Sequence, residues 1–180
     1  MGEELRIKDL RVVFSAEQIA ARVREVAAQV DACYGEETLV VVCVLKGGFV
    51  FFSDLVRCLQ NRNVELDFVR LASYGKSDVS SGHVIFSKDV ESDISGKHVL
   101  IVEDIVDSGR SMRFLLDQFA ARRPRSLRLA TLVDKHERRQ NTVKADFIGF
   151  SLERGFIVGY GLDYAERFRA LPGVYEIIPE

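Results

Sequence analysis

Residues 39–45 read LVVVCVL, an unbroken apolar run in which four of the seven residues are valine. A half-exposed strand would alternate with polar residues. A buried helix would run longer, and a membrane span longer still. What fits is a strand covered on both faces, the kind found in parallel sheets with helices packed above and below.

The rest of the chain repeats that theme. From Ser15, SAEQIAARVREVAAQV places Ile19, Val23, Val26 and Val30 on one helical face, and Ser15 with Gln18 has capping-box spacing. After a Lys-Gly-Gly turn, Phe52, Leu55, Val56 and Leu59 resume helical spacing. VELDFVRLAS at 64–73 alternates at first and predicts the next strand, and VIF at 84–86 predicts a short hairpin strand. HVLIVED at 98–104 is a strong strand. Met112, Leu115, Leu116, Phe119 and Ala120 mark a helix that must end before Pro124. RLATLV at 128–133, ADFIGFS at 145–151 and FIVGYG at 156–161 complete the strands.

This alternation gives an α/β class with a mostly parallel central sheet flanked by helices. The 180 residues suit a single domain. Beyond residue 135 strands outnumber helices. That predicts a small subdomain, built with the N-terminal segment and packed against the sheet.

Net charge is −2, which argues against a non-specific nucleic-acid binder. Cys33, Cys43 and Cys58 are odd in number and form no CxxC, so they read as reduced, buried thiols of a cytosolic protein. His83, His98 and His136 stand apart from one another, which disfavours a zinc site. MGEELRIKDL lacks the apolar stretch of a signal peptide, and Arg6 stands where a myristoylation motif needs Ser or Thr. The expectation is a soluble, cytoplasmic protein that engages neither nucleic acid nor membrane.

The chemistry concentrates at VLIVEDIVDSGRSM, residues 99–112. In open α/β sheets ligands bind at the carboxyl ends of the strands, where this sequence turns polar. Gly109 lets backbone N–H groups approach a ligand, Ser108 and Ser111 add hydroxyls, and a helix starting near Ser111 directs its dipole to the same place. A phosphate monoester fits that cup. Glu103, Asp104 and Asp107 would repel the phosphate, so they need another partner, either sugar hydroxyls or Mg²⁺. A phosphorylated sugar with Mg²⁺ satisfies both halves. Neither GxxxxGK[ST] nor a GxGxxG after the first strand occurs, which sets aside P-loop ATPases and Rossmann dehydrogenases.

The same residues closely resemble the phosphoribosyl-diphosphate (PRPP) motif of type I phosphoribosyltransferases. LKGG at 45–48, SYG at 73–75, Asp134-Lys135, FIVGYGLDY at 156–164 and FR at 168–169 stand in the order found in hypoxanthine-guanine phosphoribosyltransferases. The resemblance runs from about residue 38 to the end. It implies Mg²⁺-dependent purine salvage, in which PRPP and a 6-oxopurine give a nucleoside monophosphate and pyrophosphate.

The roles it implies are these. Asp107 is the general base near purine N7. Glu103 and Asp104 bind ribose hydroxyls, directly or through the metal shell. Ser108, Gly109, Arg110 and Ser111 hold the 5′-phosphate, with no catalytic part for Arg110. Lys46 and Gly47 form a pyrophosphate loop, often preceded by a cis bond, and Arg169 contacts the same group. Lys135 donates to purine O6, Phe156 stacks on the ring, and the Ile157 backbone reads its edge. Asp163 holds a second Mg²⁺.

Ser73 and Tyr74 begin a flexible lid over about 74–82, and a hood forms from about 1–15 and 150–180. A homodimer or homotetramer is implied as well. Two other readings stay open from the sequence. One is a relative preferring xanthine. The other is a PRPP- or nucleotide-sensing RNA-binding regulator on the same fold, for which RRPR at 122–125 would be the basic face.

Overall fold

The computed structural model describes residues 7–74 and 83–179. In chain order the elements are β1 (Ile7–Phe14), α1 (Ala16–Tyr34), β2 (Leu39–Leu45), α2 (Phe49–Cys58), β3 (Val64–Tyr74) and β4 (His83–Lys88). There follow β5 (His98–Val106), α3 (Arg110–Ala120), β6 (Ser126–Lys135), β7 (Phe147–Leu152), β8 (Ile157–Val158) and β9 (Val174–Pro179).

The larger sheet runs β4-β3-β2-β5-β6-β7. Every neighbouring pair is parallel except β3 with the edge strand β4. From β2 the chain steps outward to β3, then returns to lay β5 on the other side of β2. The strand order therefore reverses between β2 and β5, the place where such sheets open a crevice for ligands.

Both faces of the sheet are covered. Leu39, Val41 and Cys43 of β2 pack with α1 and α2, while Val40, Val42 and Val44 pack with the α3 side chains Met112, Leu115 and Phe119. Val40, Val41 and Val42 have no exposed surface, and each such side chain contributes about 1.5–3 kcal/mol by burial. The all-apolar run is thus explained by its two covered faces. α1 begins with the capping box: Gln18 N–H donates to Ser15 Oγ at 3.3 Å, and Ser15 N–H donates to Gln18 Oε1 at 2.8 Å. Ile19, Val23, Val26 and Val30 are its buried stripe.

β1, β9 and β8 form a second, antiparallel sheet of three strands. Phe14 at the end of β1 stacks on Phe150 of β7 with ring centroids 4.0 Å apart, tying the two sheets together. β1 and β9 carry mixed polar and apolar residues, and as strands neither was read from the sequence. FIVGYG is strand only at Ile157–Val158. Gly159, Tyr160 and Gly161 all take positive φ, at +96°, +51° and +100°, and turn the chain away. Of the three cysteines only Cys43 is buried, and burial pushes its thiol up to about 12. Cys33 lies on the outer face of α1 and is exposed, so the expectation of buried thiols holds for one residue in three. No helix among the described residues is long and apolar enough to cross a membrane.

Candidate active site

The carboxyl ends of β2, β5 and β6 meet at the crevice, and each carries its polar residues there. β5 is apolar from Val99 through Val102 and then presents Glu103 and Asp104. Asp104 is buried, and its Oδ1 accepts the N–H of Ile105 at 2.8 Å. Burial, with the charge of Asp104 beside it, raises Glu103 well above the usual carboxylate range. Burial also raises Asp104, against the opposing pull of its hydrogen bonds and Arg169. Two carboxylates held this way call for a cation or for hydroxyl donors.

Their cost has a sign. A carboxyl whose folded pKa lies above its unfolded value favours the folded state less once pH rises past the unfolded range, from 3.8 for Asp and 4.5 for Glu. Asp104→Asn and Glu103→Gln are therefore expected to raise the melting temperature of the substrate-free protein at neutral pH while turnover falls. The stability difference should fade as pH is lowered below those values. A thermal scan across pH with either variant checks this.

Beyond β5 the chain turns through Asp107–Ser111. Gly109 has φ +78°, and a Cβ there would meet Asn141 O at 2.9 Å. The turn is held from behind, because Ser108 O accepts the N–H groups of Gln140 and Asn141 at 3.0 and 3.2 Å. α3 starts at Arg110, one residue before the expected point; its N-cap Gly109 has no side chain to offer, and Ser108 Oγ accepts the N–H of Arg110 at 3.4 Å. Residues 103–112 line a cavity of about 180 Å³. Ser111 and Arg110 stand exposed at its mouth.

Asp107 Oδ1 is buried without a hydrogen-bond partner among the described residues. Lys135, at the end of β6, brings its Nζ to 3.9 Å from that oxygen and to 3.4 Å from Glu137 Oε2. Although Lys135 sits in a run of charges, only 4% of it is exposed. Glu137 also accepts the N–H of Gly155 at 3.4 Å, which draws the segment before Phe156 toward Lys135. Phe156 is 41% exposed and meets Tyr164 edge to face at 5.5 Å, whereas Ile157 is buried.

The Lys46–Gly48 turn after β2 follows a cis Leu45–Lys46 peptide. Gly47 is pressed from two sides: a Cβ on it would collide with the Asp104 carboxylate, and a Cβ on Gly161 would collide with its carbonyl oxygen. Lys46 Nζ donates to Glu166 Oε2 at 2.9 Å. Arg169 reaches the same oxygen at 3.3 Å, Asp163 Oδ1 at 2.8 Å and the carbonyl of Gly161 at 2.8 Å, while its Nε is buried with no partner among the described residues. Ser73 and Tyr74 end β3, with backbones paired to Val84 and His83. Apart from Tyr74, the expected lid over 74–82 lies outside the described residues.

Two groupings result: Asp107 with Lys135, and Lys46 with Asp163 and Arg169. Glu166, Glu137 and Arg139 belong to them and were not singled out in the sequence. An acid between Asp163 and Arg169 was the available signal for Glu166. Arg139 gave none, because its bonds to the carbonyls of Val106 and Asp107 cross more than thirty residues and no local spacing marks them.

Residues 13–165 match the phosphoribosyl transferase domain family. The chain is 40% identical to a hypoxanthine-guanine phosphoribosyltransferase of Bacillus subtilis, over 94% of this chain and 93% of that one. It is 43% identical to the enzyme of that name from Aquifex aeolicus, over 97% and 98%. The chain belongs to the hypoxanthine-guanine phosphoribosyltransferases. A crystal structure of a hypoxanthine-guanine phosphoribosyltransferase from Bacillus anthracis superposes with a TM-score of 0.88 at 42% identity, covering 96% of this chain and all of that one. In this phosphoribosyltransferase the family match takes in the ends of β2, β5 and β6, the three strands that build the crevice.

Proposed function

We propose that this phosphoribosyltransferase transfers the 5-phosphoribosyl group of PRPP to hypoxanthine or guanine, forming IMP or GMP and releasing pyrophosphate. The observation that carries the reading is the buried, unpartnered Asp107 Oδ1 standing 3.9 Å from the buried Lys135 Nζ. An acceptor beside a donor matches one edge of a 6-oxopurine: Asp107 takes the N7 proton and Lys135 donates to O6. Adenine presents an amino donor at that position and would leave the Lys135 donor unpaired, so it is rejected. The names of the similar enzymes support the same pair of bases.

Each remaining residue has a place in the reaction. The 107–111 turn and the start of α3 hold the 5′-phosphate. Glu103 and Asp104 bind the ribose hydroxyls. Phe156 lies against the purine face and Ile157 offers its backbone to the ring edge. Lys46, Gly47 and Arg169 receive the pyrophosphate, and the unpartnered Arg169 Nε is a free donor for it. As the purine nitrogen forms its bond to the anomeric carbon, the bond to pyrophosphate oxygen breaks and its electron pair leaves with that oxygen. The N7 proton passes to Asp107.

The acidic pair suits a hard cation such as Mg²⁺, which takes oxygen ligands from one or two carboxylates and from substrate. Glu103 and Asp104 would hold it, with Asp163 at a second position. When bound, it supplies charge neutralisation on the departing pyrophosphate. The small β1-β9-β8 sheet, which carries Ile157, acts as a hood over the base. The enzyme works in the cytoplasm as a homo-oligomer.

Nucleotide formation from PRPP with hypoxanthine, guanine, xanthine, adenine and uracil, each with and without Mg²⁺, tests the reading. Product from hypoxanthine or guanine only with Mg²⁺ is the expected result. Turnover of xanthine alone, or of no base, overturns it.

Glu166 adds a prediction. Its carboxylate bridges Lys46 and Arg169, where pyrophosphate would bind, and Lys46 holds that carboxyl below its usual range. Glu166→Gln should tighten product inhibition by pyrophosphate about two- to fivefold, the scale of a solvent-exposed ion pair. An inhibition constant measured against PRPP reads the shift.

A further inference from the structure

Arg139 lies behind the Asp107 turn, with its side chain 19% exposed. Its guanidinium gathers backbone carbonyls from three segments. Nε donates to Asp107 O at 3.0 Å and Nη1 to Val143 O at 2.9 Å. Nη2 donates to Val106 O and Lys135 O, both at 2.9 Å. The same nitrogen pairs with the Asp134 carboxylate, which balances its buried charge.

These acceptors flank the two residues that face the purine. The β5–β6 ladder pairs Val106 with Asp134 and goes no further. Asp107 and Lys135 each come one residue later. Strand pairing therefore does not fix the separation of their side chains, and a link beyond the ladder must. Arg139 is that link, since one rigid planar group bonds the carbonyls of both residues. A lysine cannot replace it, because its donors radiate from a single nitrogen and cannot reach acceptors on opposite sides of a fork.

We propose that Arg139 is a positioning residue that sets the spacing of Asp107 and Lys135, and so the fit of the purine's N7 and O6 edge. The inference rests on the assignment of those two residues to the base. It predicts a selective defect. The purine end of the reaction suffers most, while PRPP, held by Ser108–Ser111, whose Ser108 carbonyl stays anchored by the N–H groups of Gln140 and Asn141, and by the Lys46–Arg169 end, binds nearly as before.

The test compares Arg139→Lys and Arg139→Met with the parent enzyme in steady-state kinetics, PRPP-binding titrations and thermal melts. For Arg139→Lys, kcat/KM for hypoxanthine should fall about 30- to 100-fold, the scale of a displaced catalytic group, with the PRPP dissociation constant within about threefold of the parent. Added methylguanidinium should restore part of the lost turnover of Arg139→Met, filling the vacated slot. Three results overturn the proposal: unchanged kinetics, an equal loss of PRPP affinity, or unfolding of Arg139→Lys. Asp107→Asn and Lys135→Met are run alongside. Full turnover in both removes the underlying assignment, whereas loss in both with normal Arg139→Lys kinetics overturns the positioning role alone.

Discussion

Asp107→Asn is expected to lower kcat by about 10²–10⁴-fold, the usual worth of a positioned general base, while PRPP binding stays close to that of the parent. The substitution keeps the shape of the side chain and removes the carboxylate proposed to accept the N7 proton. Asp107 Oδ1 makes no hydrogen bond that folding depends on, so the variant should melt near the parent temperature. Lys135, 3.9 Å away, would then face a neutral amide and lose part of its charge balance, keeping Glu137 at 3.4 Å. The purine KM should therefore rise as kcat falls. Single-turnover nucleotide formation with a parallel PRPP titration separates the two effects. Full turnover in the variant would show that the proton leaves by another route.

Gly161→Ala should be the most damaging small substitution in the crevice. Two independent effects combine there. The residue has φ +100°, a region that side chains strain against, and its Cβ would strike the carbonyl of Gly47. That carbonyl is backbone and cannot rotate away, so the Lys46–Gly48 turn must move. The same glycine anchors Arg169, since Gly161 N–H donates to Arg169 O at 3.0 Å and the Arg169 guanidinium donates back to Gly161 O. Next to it, Tyr160 OH donates to Asp54 Oδ2 at 2.6 Å, fastening this segment to α2.

One methyl group thus disturbs both Lys46 and Arg169, the cations proposed to receive the pyrophosphate. We expect a stability loss of about 2–4 kcal/mol and a fall in kcat/KM for PRPP of about 10²-fold. Gly35→Ala is the control. Gly35 has φ +56°, but a Cβ placed on it would meet no atom within 4 Å, so the substitution should cost about 1 kcal/mol and leave turnover unchanged. Thermal melts and PRPP kinetics on the two variants distinguish the outcomes. Comparable activity losses in both would remove the argument for the Gly47–Gly161 contact.

The chain announced its main sheet because continuous apolar runs have few alternatives. LVVVCVL and HVLIV could only be strands with both faces covered, and Ser15 with Gln18 marked the start of α1. The PRPP-like motif was legible for a related reason. Its residues are consecutive, so one strand end and one turn keep them together whatever surrounds them. β1 and β9 were missed because an antiparallel sheet with one open face tolerates polar residues, which leaves a weak pattern. FIVGYG was overextended because its apolar residues continue through a turn that the glycines impose.

The sequence by itself determined the α/β class, the covered strands, and the local cluster of Glu103, Asp104, Asp107 and the serine turn, since each depends on neighbours a few positions apart. Only the tertiary structure decided that Lys135 is buried against Asp107, that Glu166 bridges Lys46 and Arg169, that Gly161 presses on Gly47, and that Arg139 gathers the carbonyls of Asp107 and Lys135. Those relations join segments far apart in the chain. They arise because parallel strands end at one edge of the sheet, where burial makes polar groups seek partners that no local spacing specifies.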